Sequence, residues 1–177
     1  LWSGKEKNRA SAICSFCDTD FYGTDGINGG KYLAKDLIEK IKSLWISTDN
    51  QIRVVLTGGE PLLQVDKPLI DALKNEDIYI AVETNGTLEA PDGIDWICMS
   101  PKANTEIKLK KGSEVKVVYP QKNLNPDDFN VLDFKNFYIQ PMDSQSYEDN
   151  VSQAVKYCMR NPNWKLSLQT HKILGIR

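Results

Sequence analysis

"IRVVLTGGEP", residues 52–61, packs a β-branched run, two glycines and a proline into ten positions. Ile52 to Leu56 read as a short buried strand, and Gly58, Gly59 and Pro61 end it in a tight loop. Upstream, "KYLAKDLIEKIKSLW" (31–45) spaces Leu33, Leu37, Ile41 and Leu44 at helical intervals among charged residues, which predicts an amphipathic helix. Downstream, "LLQVDKPLIDALKN" (62–75) resumes the helical period, and "IYIAVETNGT" (78–87) and "IDWICMSPKA" (94–103) are two more strands running into polar turns. "SEVKVVYP" (113–120) and "NFYIQPMD" (136–143) read as strands, "YEDNVSQAVKYCMRN" (147–161) as a helix, and "WKLSLQTHK" (164–172) as the last strand. Alternating helices and short apolar strands favour a mainly parallel α/β sheet.

The polar motifs "TGGEP", "ETNGT", "SPK" and "QPMD" each follow the apolar residues of a strand. In parallel α/β folds that edge of the sheet is where ligands bind. Five or six strands with few helices point to an incomplete TIM-type barrel or an open curved sheet, because a full eightfold barrel takes about 250 residues.

The 177 residues suit one domain, with no repeat or linker to divide them. With 22 basic and 24 acidic residues the net charge is −2, which advertises neither a nucleic-acid nor a membrane partner. No apolar run approaches the roughly 20 residues of a membrane span, and "LWSGKEKNRA" lacks a signal-peptide core, so the expected location is cytoplasmic.

Residues 1–30 are polar and end in "GTDGINGG", which predicts a long functional loop. It carries Cys14 and Cys17 in "AICSFCDTDF" (12–21). Four cysteines, at 14, 17, 98 and 158, are too few and too unevenly spaced for a disulfide framework, so the close pair suggests metal or redox chemistry. A zinc knuckle, a redox dithiol and an iron-sulfur cluster all use C-x-x-C. The dithiol expects a helix N-terminus rather than a polar loop, and two thiolates alone complete neither a zinc nor a cluster site. Cys98 in an apolar strand and Cys158 in a helix fit buried structural roles. By themselves "TGGEP" and "ETNGT" also fit ordinary turns, with Glu60 and Pro61 as first-turn helix residues.

Together, "CDTDF", "TDG", "TGGEP", "ETNGT", "DWICMSPK", "QPMD" and "LSLQTHK" occur in an order that resembles the radical S-adenosylmethionine (SAM) enzymes, in particular the 7-carboxy-7-deazaguanine synthase family, over nearly the whole chain. The usual superfamily motif has a cysteine four residues before the second one, where this chain has Ala10. The family's stretched version of the motif implies a first cysteine upstream of Leu1. The expectation is therefore one radical SAM domain over residues 1–177 that lacks its N-terminal strand and first cluster cysteine, in a partial barrel with reduced helix content.

The resemblance implies a [4Fe-4S] cluster on Cys14 and Cys17, SAM and Mg²⁺. It assigns Phe16, Cys17, Asp18, Gly59, Glu60, Thr84 and Asn85 to SAM, as it does Ser100, Pro101 and Lys102 and the segment Gln140, Pro141, Met142 and Asp143. Thr19 would bind Mg²⁺, a hard ion suited to a hydroxyl oxygen. Thr57, His171 and Arg177 would face the substrate, although a lone histidine is also a routine packing group. The implied reaction is reductive cleavage of SAM, hydrogen abstraction from 6-carboxy-5,6,7,8-tetrahydropterin, and ring contraction to 7-carboxy-7-deazaguanine with loss of ammonia, feeding queuosine and related 7-deazapurines. A flavodoxin-type or reductase electron donor and a homodimer come with the family. A glycyl-radical activating enzyme and a zinc-stabilised binding module are the rival readings.

Overall fold

The computed structural model describes residues 3–14, 16–17, 21–48 and 50–176. Its centre is a six-stranded sheet: β1 (Arg53–Leu56), β2 (Tyr79–Thr84), β3 (Trp96–Met99), β4 (Lys111–Tyr119), β5 (Asp133–Pro141) and β6 (Trp164–Leu166). All five pairings are parallel, and the strands lie side by side in sequence order. A doubly wound sheet reverses its order at a switch point, whereas sequential order is that of a barrel wall. The molecule is thus a partial barrel of parallel strands.

Helices are few, as expected. α1 (Ala34–Leu44) precedes β1, α2 (Lys67–Asn75) joins β1 to β2, and α3 (Tyr147–Arg160) joins β5 to β6. Asp66 caps α2, its side chain accepting from the Leu69 amide at 3.0 Å, and Pro68 occupies the first turn, where no amide is needed. Residues 85–95 and 100–110, which join β2 to β3 and β3 to β4, contain no helix.

Strand alternation separates two faces. On the helix-covered face, Ile38 of α1 and Ile70 and Leu73 of α2 pack with Ile78 and Ile80. Further along, Val115, Val117, Ile139 and Trp164 pack with Ala154 of α3. The Trp164 ring meets Phe137 at 5.2 Å, and its indole N–H donates to Asn130 Oδ1 at 3.0 Å, which satisfies the buried donor. The other face carries polar residues, among them Glu83 of β2 and Lys116 of β4.

Two segments differ from the sequence expectation. A 3-10 turn over Glu6–Ser11, braced by the Arg9–Glu6 ion pair at 2.8 Å, interrupts the N-terminal loop. The run 164–172 is not one strand: its ladder ends where the Ser167 amide meets Ile139 O at 2.8 Å. A short helix, α4 (Thr170–Leu174), then carries His171 and ends at Gly175 with φ +66. Apolar residues at 164, 166 and 168 continue the strand alternation past Leu166, where the β6 ladder with β5 ends.

Candidate functional site

The C-terminal ends of the strands and the loop bearing the cysteine pair enclose one cavity of about 570 Å³, within the range typical of small-molecule sites. From the loop come Cys14, Phe16, Cys17 and Phe21. Arg9 of the 3-10 turn holds that loop by donating to Cys17 O at 2.8 Å. Cys14 is buried and Cys17 half-buried, and all four cysteines are thiols.

The turn after β1 contributes Thr57, Gly58 and Gly59. Gly58 has φ +127, which favours glycine, and a Cβ on Gly59 would lie 2.8 Å from the Phe21 ring, so the first glycine allows the turn and the second its approach to the loop. The end of β2 adds Glu83, Thr84 and Asn85. Glu60 stands behind this wall. Its Oε1 accepts from Thr84 Oγ1 at 2.7 Å and from the Leu62 amide at 3.1 Å, and its Oε2 accepts from the Asn85 amide at 2.8 Å. One carboxylate therefore locks the turn after β1 to the turn after β2.

Beyond β3, Ser100 and Lys102 face the cavity. The Lys102 ammonium donates to Ser100 O at 2.9 Å and Ser100 Oγ at 2.7 Å, and lies 6.0 Å from the Phe16 ring centroid. Burial pulls its pKa below the usual lysine value, against the upward pull of Cys14 and Cys17. Lys116 and Val118 of β4 and Gln140, Met142 and Asp143 from β5 complete that wall. Asn150 of α3 holds the β5 turn through Met142 O at 2.8 Å, and Lys172 donates to Asp143 Oδ2 at 2.6 Å. Ser167 to Gln169, His171 and Lys172 close the far side.

The structure thus brings together Cys14, Phe16, Cys17, Thr57, Gly59, Thr84, Asn85, Ser100, Lys102, Gln140, Met142, Asp143 and His171. Pro101 and Pro141 are fully buried and Glu60 is turned toward protein donors, so these three support the wall without lining it. Asp18, Thr19 and Arg177 lie outside the described residues. Sequence reading missed Phe21, Glu83, Lys116, Val118, Ser167, Leu168, Gln169 and Lys172. Strand alternation carried a signal for two of them: Lys116 lies between Val115 and Val117, and Glu83 follows Val82 at the alternate position.

Two thiols opening into a cavity with cationic, anionic and amide groups suit a metal cluster beside a zwitterionic cofactor. Among the described residues no group of three or more His, Cys, Asp or Glu could hold a metal by itself. Cys14 and Cys17, both in the cavity wall, have the chemistry of two of a cluster's thiolate ligands. Cys98 and Cys158 do not line the cavity.

Residues 8–115 match the family model of the Radical SAM superfamily. A 7-carboxy-7-deazaguanine synthase of Bradyrhizobium diazoefficiens is 54% identical over 100% of this chain and 85% of its own length. Proteins of the same name from Caulobacter vibrioides and Burkholderia multivorans are 51% and 52% identical, each over 99% of this chain and 84% of their length. The crystal structure of QueE from Escherichia coli superposes with a TM-score of 0.57 at 24% identity, covering 77% of this chain and 63% of that one, a likeness of fold. The partial barrel and its cysteine loop define a radical SAM enzyme, a class that uses a [4Fe-4S] cluster and SAM. Within that class, the chain belongs to the 7-carboxy-7-deazaguanine synthase family.

Proposed function

We propose that this cavity converts 6-carboxy-5,6,7,8-tetrahydropterin to 7-carboxy-7-deazaguanine with loss of ammonia. The observation that carries the reading is the convergence, in one cavity, of both thiols of the C-x-x-C loop and the polar ends of the strands. Cys14 and Cys17 serve as cluster ligands, with a third thiolate from outside the described residues. The cluster and SAM, when bound, supply one-electron hydrogen abstraction.

The chain's own work is binding, orientation and shielding. Phe16, the Gly59 backbone, Ser100, Lys102 and the segment Gln140 to Asp143 hold SAM, joined by Asp18, Thr84 and Asn85. Pro101, Pro141 and Glu60 keep those segments in place. Lys102 offers a cation to a carboxylate, and Asp143 offers an acceptor to an ammonium group. Thr57, Glu83 and His171 face the pterin, Arg177 serves as a further substrate ligand, and Thr19 binds a Mg²⁺ that orients the substrate. The protein acts as one radical SAM domain, a cytoplasmic homodimer reduced by a flavodoxin-type partner or a reductase. No described helix is long and apolar enough to cross a membrane.

Anaerobic reconstitution of the full-length protein with iron and sulfide tests the cluster assignment. The expected result is a brown protein with four irons per chain and an electron paramagnetic resonance signal on reduction, both lost in Cys14→Ser and Cys17→Ser. A colourless protein holding stoichiometric zinc through the same cysteines would overturn it.

A further inference from the structure

Lys116 lies near the middle of a central strand between Val115 and Val117, both fully buried. Its side chain is 18% exposed, and an ammonium so enclosed requires a partner. That partner is Glu83 on β2. Lys116 Nζ donates to Glu83 Oε1 at 2.8 Å, reaching across β3, where the register sets Cys98 beside Glu83. Burial works to lower the Lys116 pKa, but the pull of its surroundings, the Glu83 carboxylate and its hydrogen bond among them, outweighs it and the net shift is upward. Burial also holds the Cys98 thiol far above its usual range, so it remains neutral and the carboxylates are the counter-ions.

The bond occupies one oxygen of Glu83, whose side chain remains 41% exposed and lines the cavity. Glu83 also sits one step beyond the Leu56–Val82 pair in the β1–β2 register, which places it level with Thr57. A reduced pterin is rich in N–H donors, and a carboxylate at this point accepts from them at least cost if its rotamer is already fixed. A free glutamate side chain would lose rotamer entropy on each binding event.

We propose that Lys116 is a positioning residue for the reaction assigned above: it holds Glu83 in the single orientation in which its remaining acceptor capacity meets the substrate. The inference rests on that assignment. It makes Lys116 matter for the coupling of radical chemistry to product, and not for the cluster or for SAM.

The test compares reconstituted full-length wild type, Lys116→Met, Lys116→Arg, Glu83→Gln and the Glu83→Gln/Lys116→Met double variant. Iron content, SAM cleavage and product formation are followed in each. Lys116→Met should keep its iron and its KM for SAM, and should continue to cleave SAM. Its kcat for product should fall by about 100-fold, the scale of an ångström-sized misplacement, and Lys116→Arg should recover part of that loss. The double variant should be no worse than the poorer single variant, because the two residues act as a unit. If Lys116→Met does not fold, the partial loss in Lys116→Arg and its non-additivity in a Glu83→Gln/Lys116→Arg double variant carry the test. Wild-type kcat in a folded Lys116→Met, or losses that simply add, would overturn the inference while leaving the site assignment intact. A wild type that makes no product overturns the assignment, and this inference with it.

Discussion

Glu60 shows how one side chain can organise a site that it does not line. The GGEP turn places its carboxylate against the hydroxyl of Thr84, a residue only 2% exposed, and against the Asn85 and Leu62 amides. Removing an acceptor from a buried donor costs about 1–3 kcal/mol. Glu60→Ala should therefore lose about 3 kcal/mol, or about 6–12 °C in melting temperature for a domain of this size, as thermal unfolding would register. An unchanged melting temperature would mean that water replaces the carboxylate. The motif drew Glu60 out as a ligand for SAM, but only the fold reveals the direction in which its carboxylate points. His171 shows the reverse. Its motif was legible, yet residues 164, 166 and 168 disguised the end of a strand and the start of a helix. Glu83 was hidden inside "ETNGT", where its turn neighbours drew the attention.

At the scale of elements, Asp95 joins three of them. It sits just before β3, accepts from the Ile80 amide of β2 at 2.7 Å, and pairs closely with Lys74 of α2. Burial pushes its carboxyl up from the ordinary value near 3.8, but the bonds from Lys74 and the Ile80 amide outweigh that and leave it lowered. A carboxylate with a depressed folded pKa adds stability that is fully present above its unfolded value and is lost as pH falls through the folded one. Asp95→Asn should cost about 1 kcal/mol near neutral pH and flatten the acid limb of the stability curve below about pH 4. Chemical denaturation at several pH values would measure both, and parallel acid limbs in the two proteins would contradict the assignment. The first five strands were legible because each carries apolar residues ended by a polar turn, whereas the sixth was legible only at its start, its ladder stopping at Leu166. The 3-10 turn over Glu6–Ser11 was not, because its brace is the Arg9–Glu6 ion pair rather than any hydrophobic period.

For the whole molecule, sequential parallel order explains why motifs spread from residue 14 to residue 171 meet in one place. Each strand delivers its following turn to the same end of the wall, and the cysteine loop closes over that end. Spacing along the chain could identify the turns, but the Lys116–Glu83 pair depends on two strands separated by a third and has no local signature. Cys14→Ser and Lys116→Met should therefore fail differently: the first by losing iron, the second by keeping iron and losing product. The most direct measurement of the central claim is turnover by the anaerobically reconstituted full-length enzyme, given reductant, SAM, Mg²⁺ and 6-carboxy-5,6,7,8-tetrahydropterin. The account predicts 7-carboxy-7-deazaguanine and ammonia in equal amounts, a redox-neutral conversion in which the abstracted hydrogen is returned, whereas a charged cluster that cleaves SAM but leaves the pterin unchanged would contradict it.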